Sequence, residues 1–146
     1  KNLYDSLSAY GVGFHRHNSE IQQEIARVCK KKFEFTFTPH LAPMFRGILS
    51  TIYVDATANI TSKKILIILK KNYKYNNFIK FAKLNDPIST NNVINTNNCL
   101  ISVCESKYKN KIIILSAIDN LIKGGAGQGV QNMNIIYNLP ETRGLQ

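Results

Sequence analysis

The strongest constraint on what this chain can fold into is the way its apolar residues change period along the sequence. Ile21, Ile25, Val28 and Cys29 recur at helical spacing behind Asn18 and Ser19. Either of those can cap the helix, with Gln22 placed for a capping box, so a helix is expected over 18–29. Phe33, Phe35 and Phe37 then alternate with Glu34, Thr36 and Thr38, the period-2 pattern of a strand with one buried face, ended by Pro39 and Pro43. Residues 46–57 read as a longer strand with apolar side chains on both faces, which fits a central strand or a subunit contact. Thr61 or Ser62 can cap a second helix to about residue 73, turning Ile65, Leu66, Ile68 and Leu69 inward. A short strand is expected over 78–81. The Asn, Ser and Thr-rich stretch 86–98 around Pro87 reads as surface loop, and 100–103 with 111–118 as an antiparallel hairpin. Val130, Met133 and Tyr137 carry a last helical pattern. This order predicts an α+β fold, a largely antiparallel mixed sheet with helices packed on it. At 146 residues the default is one domain, large enough to bury roughly 70% of its unfolded surface.

A formal net charge of +10 raises nucleic acid or an anionic membrane as partners. The distribution argues against both. Lys30-Lys31-Lys32, Lys63-Lys64 and Lys70-Lys71 lie near expected helix ends, no arginines cluster, and no aromatic platform is interleaved with them. The longest apolar stretch, residues 65–69, is far short of the roughly 20 residues a membrane helix needs. Cys29, Cys99 and Cys104 form no CxxC pair and no metal-ligand spacing; an odd count fits a reducing, cytoplasmic setting, and these thiols read as structural or incidental.

Three segments can carry chemistry. His15-Arg16-His17 stands at the mouth of the first helix, where backbone N–H groups and the macrodipole already favour an anion. Taken alone, the same triplet is also open to a structural reading, with Arg16 pairing a surface carboxylate, and it lacks the further ligands a metal would need. In the segment from Phe37 through His40 to Gly47, Pro39 and Pro43 stiffen the backbone around His40, and Gly47 permits a tight turn beside Arg46. Asp119-Asn120, Lys123 and the glycines 124, 125, 127 and 129 follow an expected buried strand. Each glycine inside a helix costs about 1 kcal/mol against alanine, so a close backbone approach to another domain or to a phosphate-bearing ligand would account for them. A ligand-free flexible turn is the other reading; GxxxxGK[ST] is absent.

Taken together, these segments resemble the N-acetyl-gamma-glutamyl-phosphate reductase family. The match lies in His15-Arg16-His17 before Glu20-Ile21, in Phe37-Thr38-Pro39-His40-Leu41 with Pro43-Met44 and Arg46-Gly47-Ile48-Leu49, and in the run from Asp119-Asn120 to Asn132. The ending Leu139-Pro140-Glu141-Thr142 with Gly144-Leu145 also agrees. Gly125 and Gly129 replace the usual alanines, and Ser19 a common proline. No dinucleotide fingerprint and no Pro-Gly-Cys segment occurs in the chain.

The resemblance implies a substrate-binding and dimerisation domain spanning 1–146, similar to the catalytic domain of glyceraldehyde-phosphate and aspartate-semialdehyde dehydrogenases. An upstream Rossmann domain would bind NADPH and bring the catalytic cysteine, and the chain alone would be inactive. In that chemistry a thiolate displaces phosphate from N-acetyl-glutamyl phosphate, and hydride reduces the thioester to the semialdehyde of arginine biosynthesis, with an imidazole moving the proton. His17 is the expected acid/base, with His15 the weaker candidate. Arg16, Arg46 and His40 are expected on the acyl phosphate substrate, and Asn120, Lys123, Gly124 and Gly125 near the nicotinamide. A homodimer or homotetramer is implied. A non-catalytic interaction domain with structural histidines is the competing reading.

Overall fold

The computed structural model describes residues 5–31, 33–57 and 59–145. The chain divides into two compact units, Lys1–Phe45 and Arg46–Gln146.

In the first unit, β1 (Ser8–Ala9) pairs antiparallel with β2 (His40–Leu41), and α1 (His17–Cys29) lies between them in sequence. The helix starts close to the expected place, but its cap differs. The capping position is Arg16 in helical conformation, without a side-chain cap bond, and Ser19 Oγ instead donates back to the Arg16 carbonyl. Gln22 makes no capping box and donates to the Phe33 carbonyl at 3.3 Å. Because the backbone enters the helix already curled, no preceding side chain is extended in the geometry that reaches a free N–H. Ile21 and Ile25 are partly buried, whereas Val28 and Cys29 are exposed, so the thiol is off the apolar side expected for it. Residues 33–37 form no strand. Phe35 and Phe37 are partly buried and Phe33 exposed, so the alternation reports which side faces inward, with no neighbouring strand supplying a ladder.

The second unit holds a four-stranded sheet in the order β3-β6-β5-β4, where β3 is Ile48–Asp55, β4 Ile79–Phe81, β5 Cys99–Glu105 and β6 Lys111–Ile118. The β3/β6 and β6/β5 pairs are antiparallel and β5/β4 is parallel, which is the largely antiparallel α+β arrangement expected. Helix α2 (Ser62–Asn72) is capped by Thr61, whose hydroxyl accepts from the Lys64 amide. Its Leu66 packs with Val103 and Ile112 on one face of the sheet, joined by Ile65 and Leu69, while Ile68 stays exposed. On the other face Ile88 and Val93 pack on Ala117. The stretch 86–98 is therefore folded into the core rather than loose surface loop: Val93 and Asn97 are essentially inaccessible, and a short 3₁₀ turn spans Thr90–Asn92. β3 is an edge strand, not a central one, and leaves Ile48, Leu49, Ile52, Tyr53 and Val54 exposed on both of its faces. After β6 the chain makes a wide π turn at Ile122–Ala126 and enters α3 (Gly127–Ile136).

Candidate functional site

Four of the expected site residues, His15, Arg16, His17 and His40, belong to the first unit. His15 is partly buried in an edge-on aromatic cluster: its ring centroid lies 5.2 Å from Tyr10, 5.5 Å from Phe37 and 4.7 Å from His17. The His17 backbone N–H donates to His15 Nδ1 at 3.2 Å, so that nitrogen is an acceptor and the neutral His15 ring carries its proton on Nε2. His15 is thus fixed by packing and by the helix backbone. His17 keeps about half of its side chain exposed and its Nε2 lies 3.8 Å from Glu20 Oε2, one helical turn on. An exposed imidazole beside a carboxylate can take up and return a proton. Arg16 is exposed beside it. His40 sits on β2, where its Nδ1 donates to the Thr38 carbonyl at 3.2 Å, leaving Nε2 as the acceptor of the neutral ring.

The other five, Arg46, Asn120, Lys123, Gly124 and Gly125, belong to the second unit. Arg46 and Asn120 are brought together by a residue to which the sequence reading gave no role. Asp119, at the end of β6, is fully buried. Its Oδ2 accepts from Arg46 Nη1 at 3.1 Å and from the Asn95 amide at 2.9 Å, and its Oδ1 from the Leu121 and Ile122 amides at 2.9 and 3.1 Å. Burial alone would raise this carboxyl's pKa, but the three amides and the guanidinium outweigh it and hold it below the usual value. Arg46 Nη1 also donates to Asn95 Oδ1 at 2.8 Å, and the Gly47 amide donates to Asn120 Oδ1 at 2.6 Å. Gly47 has φ +110° and a β-carbon there would lie 2.6 Å from Thr90 Cβ, so only glycine fits this turn. The signal that could have found Asp119 was an acid directly after an apolar strand and before a turn, a position suited to capping backbone amides.

Lys123 points into its own domain: Nζ donates to Gln131 Oε1 at 2.7 Å and lies 5.5 Å from the centre of the Phe78 ring. Burial lowers its pKa, against opposing pulls from Cys99 and Glu141. Gln131 passes the contact on, donating to Glu141 Oε1 at 2.7 Å, while Asn77 donates to Glu141 Oε2 at 2.6 Å. Gly124 and Gly125 are exposed on the π turn. Gly127 is buried against Asn97 and Ile122, so the backbone approach that explains this glycine is internal to the domain. Among the described residues no group of three or more His, Cys, Asp or Glu side chains could hold a metal ion, and no helix is long and apolar enough to cross a membrane.

The fold of this chain is similar to that of an aspartate semialdehyde dehydrogenase from Francisella tularensis. The TM-score is 0.70 at 16% identity, over 94% of this chain and 41% of that one. Residues 1–120 match the family described as semialdehyde dehydrogenase, dimerisation domain, and the chain belongs to that family. Within it the similarity is more specific. The chain is 43% identical to an N-acetyl-gamma-glutamyl-phosphate reductase of Desulforamulus reducens over 97% of its length and 41% of the relative's. It is also 43% identical to the reductase of that name from Geobacter metallireducens, over the whole of this chain and 44% of that protein. The resemblance drawn from the sequence is thereby borne out. This chain spans about two-fifths of the length of these relatives.

Proposed function

We propose that this chain is the substrate-side and dimerisation domain of an NADPH-dependent N-acetyl-gamma-glutamyl-phosphate reductase acting in the cytoplasm. The observation that carries the reading is the 43% identity to reductases of that name along nearly the whole chain. The reaction needs a thiolate and a dinucleotide site, which we assign to a Rossmann domain outside these 146 residues.

His17 is the residue of this chain that moves the proton. Its imidazole is exposed, packs against His15 and Phe37, and has Glu20 3.8 Å away. Arg16, exposed beside it, and His40, whose Nε2 can donate to an anion only when it carries a proton, grip the carboxylate or phosphate of the substrate. Arg46, held by Asp119 and Asn95, presents a guanidinium of the kind that binds a carboxylate or phosphate. The exposed glycine backbone at 124 and 125 gives a flat ring room to approach, and the Asn120 amide, anchored through its oxygen to Gly47, has N–H groups to offer a carboxamide. Those three residues fit a nicotinamide. Lys123 turns its ammonium toward Gln131 inside the domain. NADPH, when bound, supplies the hydride. The exposed apolar edge of β3 is the surface that a second copy covers, giving a homodimer or a larger assembly built from it.

Grafting this chain in place of the matched 44% of the Geobacter metallireducens reductase tests the reading. The graft is expected to reduce N-acetyl-glutamyl phosphate with NADPH, and the 146-residue chain alone is expected to be inactive. A folded graft without activity would count against it.

A further inference from the structure

Building on the reductase reading, we propose that Asp119 is a positioning residue of the site, fixing Arg46 and the Asn120 turn in one geometry. Four donors from three separated segments converge on its two oxygens: the Arg46 guanidinium, the Asn95 amide, and the Leu121 and Ile122 amides. A carboxylate with no solvent access is expensive unless every lone pair is engaged, and here both oxygens are doubly used. The latch is closed twice more, by Arg46 Nη1 on Asn95 Oδ1 and by the Gly47 amide on Asn120 Oδ1. The turn that presents Asn120 and the loop that presents Arg46 therefore cannot shift independently while the carboxylate is ionised and in place.

An asparagine at 119 keeps the volume but offers one acceptor oxygen in place of two and no charge for Arg46. Loss of the latch would let both groups drift, and displacements of about 1 Å at positioning groups cost on the order of a hundredfold in rate.

The test uses the graft described above, assayed well below its unfolding temperature, with Asp119→Asn, Arg46→Lys and the double variant. Asp119→Asn is expected to lower kcat/KM about a hundredfold. The double variant is expected to lose no more than the worse single one, because both remove the same latch. If Asp119→Asn fails to fold, Asn95→Gly is the second variant. It keeps the backbone amide and tolerates the φ of +64° at this position, removing the side chain whose oxygen holds Arg46. Its expected effect is a several-fold loss of kcat/KM at an unchanged melting temperature. A folded Asp119→Asn graft within threefold of the parent, losses that multiply in the double variant, or an unaffected Asn95→Gly would each overturn the role. An inactive parent graft would instead remove the reductase reading, and the role with it.

Discussion

The Asn97 side chain donates from Nδ2 to Gln131 Oε1 at 2.9 Å, and both residues are buried. This pair ties the folded-in stretch before β5 to α3, and Gln131 extends the tie to Lys123 and Glu141. Replacing Gln131 with Leu would leave the polar groups of Asn97, Lys123 and Glu141 short of a partner inside the domain. The expected loss is ~2–4 kcal/mol in urea unfolding, since each stranded buried group costs about 1–3 kcal/mol. A loss under about 0.5 kcal/mol would mean the network contributes little.

Two glycines of α3, two positions apart, should respond oppositely to alanine. At Gly127 a β-carbon would lie 2.6 Å from Ile122 Cγ2 and 2.8 Å from the Ile122 carbonyl oxygen, so Gly127→Ala should destabilise by ~1–3 kcal/mol. Nothing lies within 4 Å of a β-carbon at Gly129, so Gly129→Ala should stabilise by ~0.5–1 kcal/mol through the unfolded chain's entropy. Thermal unfolding of the two variants settles their order.

Asp119 also sets an acid dependence. Its folded pKa lies below the ordinary value of 3.8, so its ionised form is favoured by folding. The contribution is fully present above the unfolded value and is lost as pH falls through the folded one. The stability difference between the parent chain and Asp119→Asn should be flat from about pH 5 to 8 and shrink below about pH 4. A difference that grows on acidification would contradict the assigned direction.

The β3 edge should govern association. Leu49 and Tyr53 lie on one face of the strand and are 46% and 70% exposed, respectively. Sedimentation should show the parent chain as a dimer and the Leu49→Lys, Tyr53→Lys double variant as a monomer. Tyr75→Lys, at a more exposed tyrosine outside the sheet, should leave the dimer intact. A double variant that still dimerises would place the interface elsewhere.

The parts legible in the sequence were those fixed by local chemistry. The 61–72 segment declares a helix because Thr61 offers a cap and the apolar spacing follows at once, and β5 and β6 declare themselves by composition and an intervening turn. His17 and Arg46 stand out as an imidazole and a guanidinium beside helix or turn signals. What the sequence did not disclose depended on partners far along the chain. Asp119 takes its role from Asn95 and Arg46, 24 and 73 positions away. Val93 and Asn97 are buried although most of their neighbours are turn-forming residues, and the alternating phenylalanines at 33, 35 and 37 lack the partner strand that their pattern implies. The edge position of β3 could not be read from its two apolar faces, which suit a covered central strand and an exposed contact strand equally well.

The most direct measurement is the turnover of the graft carrying His17→Ala beside one carrying His15→Phe. Removal of a general acid/base typically lowers kcat by 10²–10⁴, so His17→Ala should fall in that range. His15→Phe, which keeps the aromatic packing around Phe37, should lose less than about tenfold if proton transfer is His17's role. A His17→Ala graft that keeps kcat within threefold of its parent would contradict the assignment of the proton-moving group to this helix.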